Sequence, residues 1–213
     1  MEKKKELNVM VRAGDLSLKG ILGLPSAPSG IVLFAHGSGS GRLSPRNNFV
    51  AGVLQEAGIA TLLMDLLAES EVQDRDKVFD IDLLAGRLLS AMDWIKSFSD
   101  TASLECGYFG ASTGAAAALQ SAAARPDSVK AIVSRGGRPD LAEEYLPLVK
   151  APTLLIVGGE DRPVISLNKH AFDRMACEKE IRIIPGATHL FEEPGTLETV
   201  ADMASDWFLE HLR

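Results

Sequence analysis

The stretch Gly107–Leu119, GYFGASTGAAAAL, decides the fold, because a short apolar run breaks at GASTG into an alanine-rich helical run. A serine hydroxyl is a poor nucleophile by itself, and a sharp turn between a strand and a helix presents it to a neighbouring base. Small residues on either side, here Gly110 and Gly114, leave room for such a turn. We therefore predict that Ser112 is a nucleophile at the end of a buried strand.

The composition describes one globular domain. Of the 213 residues, 46% are hydrophobic and 24% are charged, which suffices for a full core, and we predict a single domain over residues 1–213. The net charge is -7, whereas nucleic-acid binding draws its affinity from clustered Lys and Arg. We therefore expect no nucleic-acid partner.

The N-terminus and the cysteines indicate a cytoplasmic chain. The basic run Lys3–Lys5 is interpreted as a solvated terminus, because it lies in a polar segment between Glu2 and Glu6. No apolar segment follows it, so we expect no secretory signal. No apolar run approaches the roughly 18 residues of a membrane span. Cys106 and Cys177 belong to no CxxC pattern, and we interpret both as structural or incidental thiols. We expect no membrane contact, no metal and no cofactor.

Short apolar runs alternate with helical periodicity along the chain. Six runs are continuously apolar, which is typical of strands covered on both faces in a parallel sheet. These predicted strands are Gly30–Ala35, Ala60–Met64, Leu104–Phe109, Lys130–Ser134, Thr153–Val157 and Ile181–Ile184.

The remaining pattern completes an α/β architecture. Leu7–Arg12 and Leu16–Leu24 predict a leading antiparallel hairpin. Apolar residues at helical spacing predict one long helix from Ile81 and another after Pro194. The predicted fold is a mostly parallel, doubly wound sheet with an antiparallel N-terminal hairpin and helices on both faces.

Three residues suited to acyl transfer follow predicted strands. Ser112 follows one strand, Asp161 follows the strand that ends at Val157, and His189 follows the strand that ends at Ile184. Ligands of open α/β sheets bind at the carboxyl ends of the strands. The order Ser, Asp, His along the chain is the one expected for α/β-hydrolases. We predict that these three residues form a catalytic triad.

The acid and the base each have a second interpretation. The segment Gly158–Pro163 is also typical of an ordinary turn, in which Asp is common, and Glu160 is a rival acid. The alternative for His189 is a histidine on a surface loop. The glycine turn before His189 and the apolar residues after it favour an imidazole held at the rim of a site.

The segment Ala35–Gly41, AHGSGSG, is a glycine-rich loop after the first central strand. A phosphate-binding role is disfavoured, because the loop lacks the Lys-Ser/Thr of a Walker motif and the full GxGxxG spacing. An oxyanion loop fits better. We expect the backbone N–H groups of Ser38 and Thr113 to hold a developing oxyanion.

Four segments carry a resemblance to a known family: GASTG (110–114), HGSGSG (36–41), GGEDRPV (158–164) and PGATHLFEE (185–193). Over nearly its whole length the chain resembles the dienelactone hydrolase-related branch of the α/β-hydrolase superfamily, with Ser44–Asn47 and Ser134–Asp140 adding to the likeness. Dienelactone hydrolases proper use a cysteine where this chain has Ser112. Some similar chains are fused to a phosphoribosyltransferase-like domain, and we expect only the hydrolase domain in these 213 residues.

The resemblance implies hydrolysis of a small ester or lactone in two acyl-transfer steps. His189 would take the Ser112 proton as Oγ attacks the carbonyl, Asp161 would orient the imidazolium, and water would release the acid. Because an unperturbed histidine titrates near ~6.5, activity is expected to rise through about pH 6 to 7. A thioesterase or a peptidase is an alternative within the enzymes.

The determinants of substrate choice are less apparent. The segment after Asp65 is too short for a large cap domain, so we expect an open site, with residues 68–77 either lining its entrance or forming a solvated loop. Four arginines fall near strand ends and either bind an anionic substrate or pair with acidic residues: Arg42, Arg46, Arg135 and Arg138. Arg135 is the strongest candidate, and we expect Arg135 and His36 to contact the substrate.

A second functional class stays open beside the hydrolase. The fold could serve as a non-catalytic scaffold that binds a small molecule or a partner. The three intact triad residues at strand ends favour the enzyme. The sequence leaves the oligomeric state open.

Overall fold

The computed structural model describes residues 5–212 of the chain. The interpretation of the Lys3–Lys5 run as a solvated terminus falls largely outside these residues. Within residues 5–212, no helix combines the length and the apolar character that crossing a bilayer requires.

One eight-stranded sheet runs through the molecule. Its strands are β1 (Lys5–Ala13), β2 (Leu16–Leu24), β3 (Ile31–Ala35), β4 (Ala60–Met64), β5 (Cys106–Ala111), β6 (Val129–Arg135), β7 (Thr153–Gly158) and β8 (Lys179–Ile184). They lie in the order β1-β2-β4-β3-β5-β6-β7-β8. β2 is antiparallel to both β1 and β4, and the six strands from β4 to β8 are parallel. The predicted mostly parallel sheet with a leading hairpin is confirmed.

Helices cover both faces of this sheet, as predicted. They are α1 (Pro45–Glu56), α2 (Arg75–Val78), α3 (Ile81–Ser97), α4 (Thr113–Ala124), α5 (Arg162–Arg174) and α6 (Thr196–His211), with a 3-10 helix at Pro139–Leu148. Successive side chains of a strand point to opposite faces. On β3, Ile31 and Leu33 therefore pack with α3 and α4, whereas Val32 and Phe34 pack with α1 and α6.

The strand bounds differ from the predicted ones where small or edge residues hide the pattern. β5 extends to Ala111 and not to Phe109, because Gly110 and Ala111 continue the pairing with β6 without adding an apolar signal. β8 begins at Lys179, since it is the edge strand and its first residues pair with β7 while staying partly exposed. The extension of β5 places Ser112 directly after the strand.

The order in which the chain adds strands to the sheet reverses at β3. From β3 it passes to β4 on one side, and β5 then returns to the other side of β3. A crevice forms at the carboxyl ends of strands where the order reverses in this way. The loop after β3 and the turn after β5 flank that crevice, and they carry Ser38 and Ser112.

Candidate active site

Ser112 lies in a strained turn between β5 and α4. Its backbone has φ 52° and ψ -122°, a conformation that L-residues other than glycine rarely adopt. A Cβ at Gly110 would meet Ala115 Cα at 2.5 Å, and one at Gly114 would meet the Ala35 carbonyl oxygen at 2.1 Å. The two glycines are required because strand, helix and the neighbouring β3 approach so closely.

The end of β6 holds this turn in place. The Ser112 N–H donates to the Arg135 carbonyl at 3.3 Å, and the Arg138 N–H donates to the Ser112 carbonyl at 3.0 Å. Both backbone polar groups of Ser112 are therefore satisfied by one neighbouring segment. Such surrounding bonds offset the cost of the positive φ.

Asp161 and His189 form a hydrogen-bonded pair at the ends of β7 and β8. His189 Nδ1 lies 2.6 Å from Asp161 Oδ2, with 39% of the histidine side chain and 13% of the aspartate side chain exposed. Asp161 occupies the N-cap position of α5, yet its side chain caps no helix amide. The carboxylate is directed to the imidazole instead. Glu160, the rival acid, donates its backbone N–H to Ala187.

Backbone bonds join the two loops that carry this pair. Gly159 N–H donates to the Ile184 carbonyl at 2.8 Å, and Glu160 N–H donates to the Ala187 carbonyl at 2.9 Å. A Cβ at Gly158 would meet the Ala187 carbonyl oxygen at 2.4 Å. The loops are thus packed backbone against backbone, which fixes the height of His189 above the sheet.

Ser112 and His189 line one cavity of about 230 Å³ together with Gly37, Ser38 and Arg135. Among the described residues, Ser112 Oγ and His189 Nε2 make no hydrogen bond to each other. Hydrogen bonds between a nucleophile and its base often tighten only in the substrate complex. The arrangement provides a hydroxyl and an imidazole on the wall of the same cavity.

The glycine-rich loop approaches the nucleophile from the β3 side. A Cβ at Gly37 would meet Ser112 Cβ at 2.9 Å, so only glycine allows this approach. The Ser38 N–H donates to the Thr113 Oγ1 at 3.0 Å. The two residues expected to hold an oxyanion are therefore in contact, through a side chain to which the sequence prediction assigned no role.

His36 joins two loops from a buried position. Its Nδ1–H donates to the Gly37 carbonyl at 2.9 Å, and its Nε2 accepts the Leu66 N–H at 2.8 Å. Burial lowers the pKa of His36, against the opposing effects of the Gly37 carbonyl and of Asp65. The imidazole is therefore neutral near pH 7, and its contacts are those of a residue that positions loops. Contact with a substrate stays a prediction.

His36 also lines a second cavity, of about 320 Å³, which shares Gly37 and Ser38 with the first. The far wall of this cavity is formed by residues from Asp65 to Leu84. Asp65 there accepts hydrogen bonds from the backbone and the guanidinium of Arg42. The glycine-rich loop thus has a cavity on either side.

The sequence predicts that residues 68–77 either line the entrance of the site or form a solvated loop. In the structure these residues include the first turn of α2, and a buried carboxylate anchors them. Glu71 is 5% exposed and accepts hydrogen bonds from Lys77 at 3.0 Å and from Arg87 at 3.2 Å. Burial raises the pKa of Glu71, but the bond from the Ala68 amide and the two cations outweigh it, so the pKa is lowered. Arg87 is buried on the apolar face of α3, and this placement of a cation is the part of the anchor that the sequence pattern marks.

The four arginines near strand ends differ in their partners. Arg42 pairs with Asp65, and Arg138 pairs with Asp140 through two bonds of 2.9 and 2.8 Å. Arg46 pairs with Glu192 at 3.0 Å. Arg135 has no acidic partner among residues 5–212. The alternative of pairing with acidic residues therefore holds for three of them.

The cysteines lie apart from the site. Cys106 is fully buried in β5, and burial raises the pKa of its thiol to about 12. Burial also raises the pKa of Cys177. A thiol is nucleophilic as a thiolate, so neither cysteine is activated.

The chain matches known proteins over most of its length. The sequence model of the dienelactone hydrolase family matches residues 22–210. A crystal structure of a dienelactone hydrolase from Anabaena variabilis is 56% identical, covers 100% of both chains and superposes with a TM-score of 0.97. The Est1E structure from Butyrivibrio proteoclasticus is 17% identical, covers 95% of this chain and 98% of that one, and has a TM-score of 0.82, which shows the fold alone.

A longer relative carries a different name. A Mycobacterium tuberculosis (strain H37Rv) protein named as a phosphoribosyl transferase is 56% identical over 208 residues, which are 98% of this chain and 47% of that protein. The chain spans about half the length of the curated relatives that it matches. From the family match over residues 22–210 and the near-identical fold of the Anabaena protein, the chain belongs to the dienelactone hydrolase family.

Proposed function

We propose that the protein is a serine hydrolase that cleaves a small carboxylic ester or lactone, with Ser112 as nucleophile, His189 as base and Asp161 as the acid that orients it. One observation carries this proposal. The hydrogen-bonded pair of His189 and Asp161, 2.6 Å apart, lies beside the cavity into which the strained turn brings Ser112.

The proposed chemistry is a two-step acyl transfer. Ser112 Oγ attacks the carbonyl carbon while its proton passes to His189 Nε2, and the resulting imidazolium is stabilised through Nδ1 by Asp161. The backbone N–H groups of Ser38 and Thr113 stabilise the oxyanion. His189 then protonates the leaving alcohol, and a water molecule that His189 activates releases the acid and restores Ser112.

The contact between Ser38 and Thr113 refines the oxyanion site. The Ser38 amide is engaged with the Thr113 hydroxyl before a substrate binds. We infer that this bond holds the amide at the mouth of the crevice, and that its N–H is shared between the Thr113 hydroxyl and the oxyanion as charge develops. Thr113 then acts twice, through its own N–H and by positioning Ser38.

The size and openness of the site favour small substrates. The cavity at Ser112 has about 230 Å³, and its lining residues come from the loops after β3 and β8, the start of α1 and the ends of β5 and β6. A small ester or lactone suits this volume, and thioesters and peptides stay alternative leaving-group classes. The single domain, the cytoplasmic location and the absence of a nucleic-acid partner stay predictions from the sequence.

A transferase activity is the alternative that the longer relative's name raises. This chain matches 47% of that relative, and the matching 208 residues carry the dienelactone hydrolase family match. We infer that the activity in that name belongs to the other half of the relative. Ester hydrolysis is the activity that the residues around Ser112 support.

The test is reaction with a fluorophosphonate, which forms a stable adduct with an activated serine. The wild type, Ser112→Ala and Ser40→Ala are labelled and weighed as intact proteins. Ser40 is the matched control, because it is a second serine on the wall of the same cavity. One adduct that is lost in Ser112→Ala and retained in Ser40→Ala supports the proposal. A folded wild type without an adduct would favour the binding scaffold.

A further inference from the structure

We propose that the cavity of about 320 Å³ beside the glycine-rich loop is an acyl subsite, so that the ester which this protein cleaves joins a short apolar acyl group, such as butyryl, to a more polar alcohol. This inference rests on the proposed function and specifies its substrate class. It assigns the two halves of the ester to the two cavities that share Gly37 and Ser38.

The position of His189 decides which half of the ester enters which cavity. In the proposed mechanism His189 donates a proton to the oxygen of the leaving alcohol, so the alcohol lies on the side of this histidine. His189 lines the smaller cavity, of about 230 Å³, together with Ser112. Ser38, a proposed oxyanion donor, lines both cavities, so the attacked carbonyl lies where they meet. The acyl chain then extends past Ser38 into the larger cavity.

Apolar side chains form the far wall of the larger cavity. They are Leu67, Val72, Val78 and Leu84. Leu67 and Leu84 are buried, whereas Val72 is 46% exposed. An alkyl chain that packs against Val72 removes this exposed apolar surface from water, which is favourable. The wall therefore suits an apolar acyl group.

The titratable residues of the larger cavity already have partners within residues 5–212. Asp65 accepts hydrogen bonds from the backbone and the guanidinium of Arg42, and Glu69 pairs with Lys19. Both ring nitrogens of His36 bond to the backbone, and burial lowers its pKa, so the imidazole is neutral near pH 7. A neutral chain leaves all of these contacts in place.

Glu71 fixes the apolar wall before a substrate binds. Its carboxylate accepts hydrogen bonds from the Ala68 N–H at 2.9 Å, from Lys77 at 3.0 Å and from Arg87 at 3.2 Å. These bonds tie the segment on either side of Val72 to α3. A cavity that is already formed binds its ligand without the cost of ordering a loop.

The smaller cavity, at His189, has a polar wall. Ser44 and Asn47 line it, and the Asn47 Oδ1 is buried with no hydrogen-bond partner among residues 5–212. An alkyl chain beside Asn47 would leave this amide without a partner, which is costly, whereas a hydroxylated alcohol can supply one. The two cavities thus differ in the chemistry that they accept.

Two isomeric esters test the assignment. Ethyl butyrate carries the longer chain in its acyl half, and butyl acetate carries the same chain in its alcohol. We measure kcat/KM for each by titration of the released acid. We expect the wild type to favour ethyl butyrate by roughly tenfold, the effect of moving two methylene groups from a polar to an apolar cavity. Equal values, or a preference for butyl acetate, would overturn the inference without any variant.

A variant of the apolar wall locates the effect. In Val72→Asp the ratio of kcat/KM for ethyl butyrate to that for butyl acetate is expected to fall by roughly fivefold or more, because a charged side chain then faces the acyl chain. Leu43→Asp is the matched control. Leu43 is also an exposed apolar residue, at 67% exposure, and it lies on the loop after β3 outside the walls of both cavities. This control should keep the wild-type ratio, and an unchanged ratio in Val72→Asp would overturn the inference.

Fluorophosphonate labelling of Ser112 separates this inference from the proposed function. A folded wild type without labelling contradicts the proposed function itself. Labelling of Ser112 combined with equal cleavage of the two esters, or with cleavage of neither, removes the acyl subsite alone, because the larger cavity then holds no butyryl group in a productive position.

Discussion

The backbone N–H of Ser38 donates a 3.0 Å hydrogen bond to the hydroxyl of Thr113, the residue that follows the candidate nucleophile. This bond joins the loop after β3 to the first turn of α4 across the crevice. Thr113 is buried, with 4% of its surface exposed. Its hydroxyl is thus placed to set the position of one proposed oxyanion donor, and its own N–H is the other proposed donor.

Removing that hydroxyl should slow catalysis. We expect Thr113→Val, which preserves the shape of the side chain, to lower kcat for a small ester by roughly tenfold, the effect of one lost hydrogen bond at the oxyanion site. Thr113→Ser keeps the acceptor and should retain most of the wild-type kcat. Steady-state kinetics on both variants measures this. Equal kcat in Thr113→Val and the wild type would show that the bond does not position Ser38.

Arg135 should reduce the stability of the protein, because it is a buried cation without an acidic partner among residues 5–212. Its folded-state pKa is lowered to about 10, which is below that of an unfolded arginine, so the unfolded chain holds this proton more tightly. The cost is fully present at pH 7 and is relieved only above pH 10. We expect Arg135→Met to raise the free energy of unfolding by about 1 to 3 kcal/mol.

Urea unfolding of Arg135→Met beside the wild type at pH 7 measures this difference. Arg138→Met is the control. Loss of the partly exposed ion pair between Arg138 and Asp140 should change the free energy of unfolding by less than about 1 kcal/mol. A less stable Arg135→Met protein would mean that the guanidinium is held by contacts to the fold itself.

The strand bounds and site residues that depend on a local sequence pattern could be predicted from the sequence. The bounds of β4, Ala60–Met64, are those predicted, because its apolar run lies between clear turn residues. The position of Ser112 after a strand followed from the small residues around it. Asp161 and His189 were predicted from their places after β7 and β8, since strand ends of a parallel sheet share one edge.

Partners that come from distant segments could not be predicted. Arg138 pairs with Asp140 only two residues away, whereas the lack of an acidic partner for Arg135 among residues 5–212 depends on how distant segments pack around it. The bond from Ser38 to Thr113 joins residues 75 positions apart. The anchoring of Glu71 by Arg87 likewise depends on how a loop folds back over α3.

The anchored loop leads to a prediction about pH. The pKa of Glu71 is below its usual 4.5 in the folded chain, so ionised Glu71 stabilises the fold at pH values above 4.5. This stabilisation is lost as the pH falls through the folded-state pKa. We expect Glu71→Gln to lower the free energy of unfolding by about 3 kcal/mol at pH 7, because it leaves Arg87 buried without its counter-charge.

Unfolding curves at several pH values test this account of the loop. The difference in the free energy of unfolding between the wild type and Glu71→Gln should shrink as the pH falls below 4.5. Glu69→Gln is the control, because the Glu69 side chain is 86% exposed and its removal should leave the stability nearly unchanged. A difference that stays constant down to pH 2 would exclude ionised Glu71 as the cause.

The central claim is that Asp161 orients His189 for an attack by Ser112, and kcat for ester hydrolysis in Asp161→Asn tests it most directly. Glu160→Gln is the matched control from the same turn. We predict that Asp161→Asn lowers kcat by roughly a thousandfold or more, because the imidazole then loses its tautomer and its counter-charge. Glu160→Gln should stay within about twofold of the wild type. Wild-type turnover in Asp161→Asn would contradict the triad.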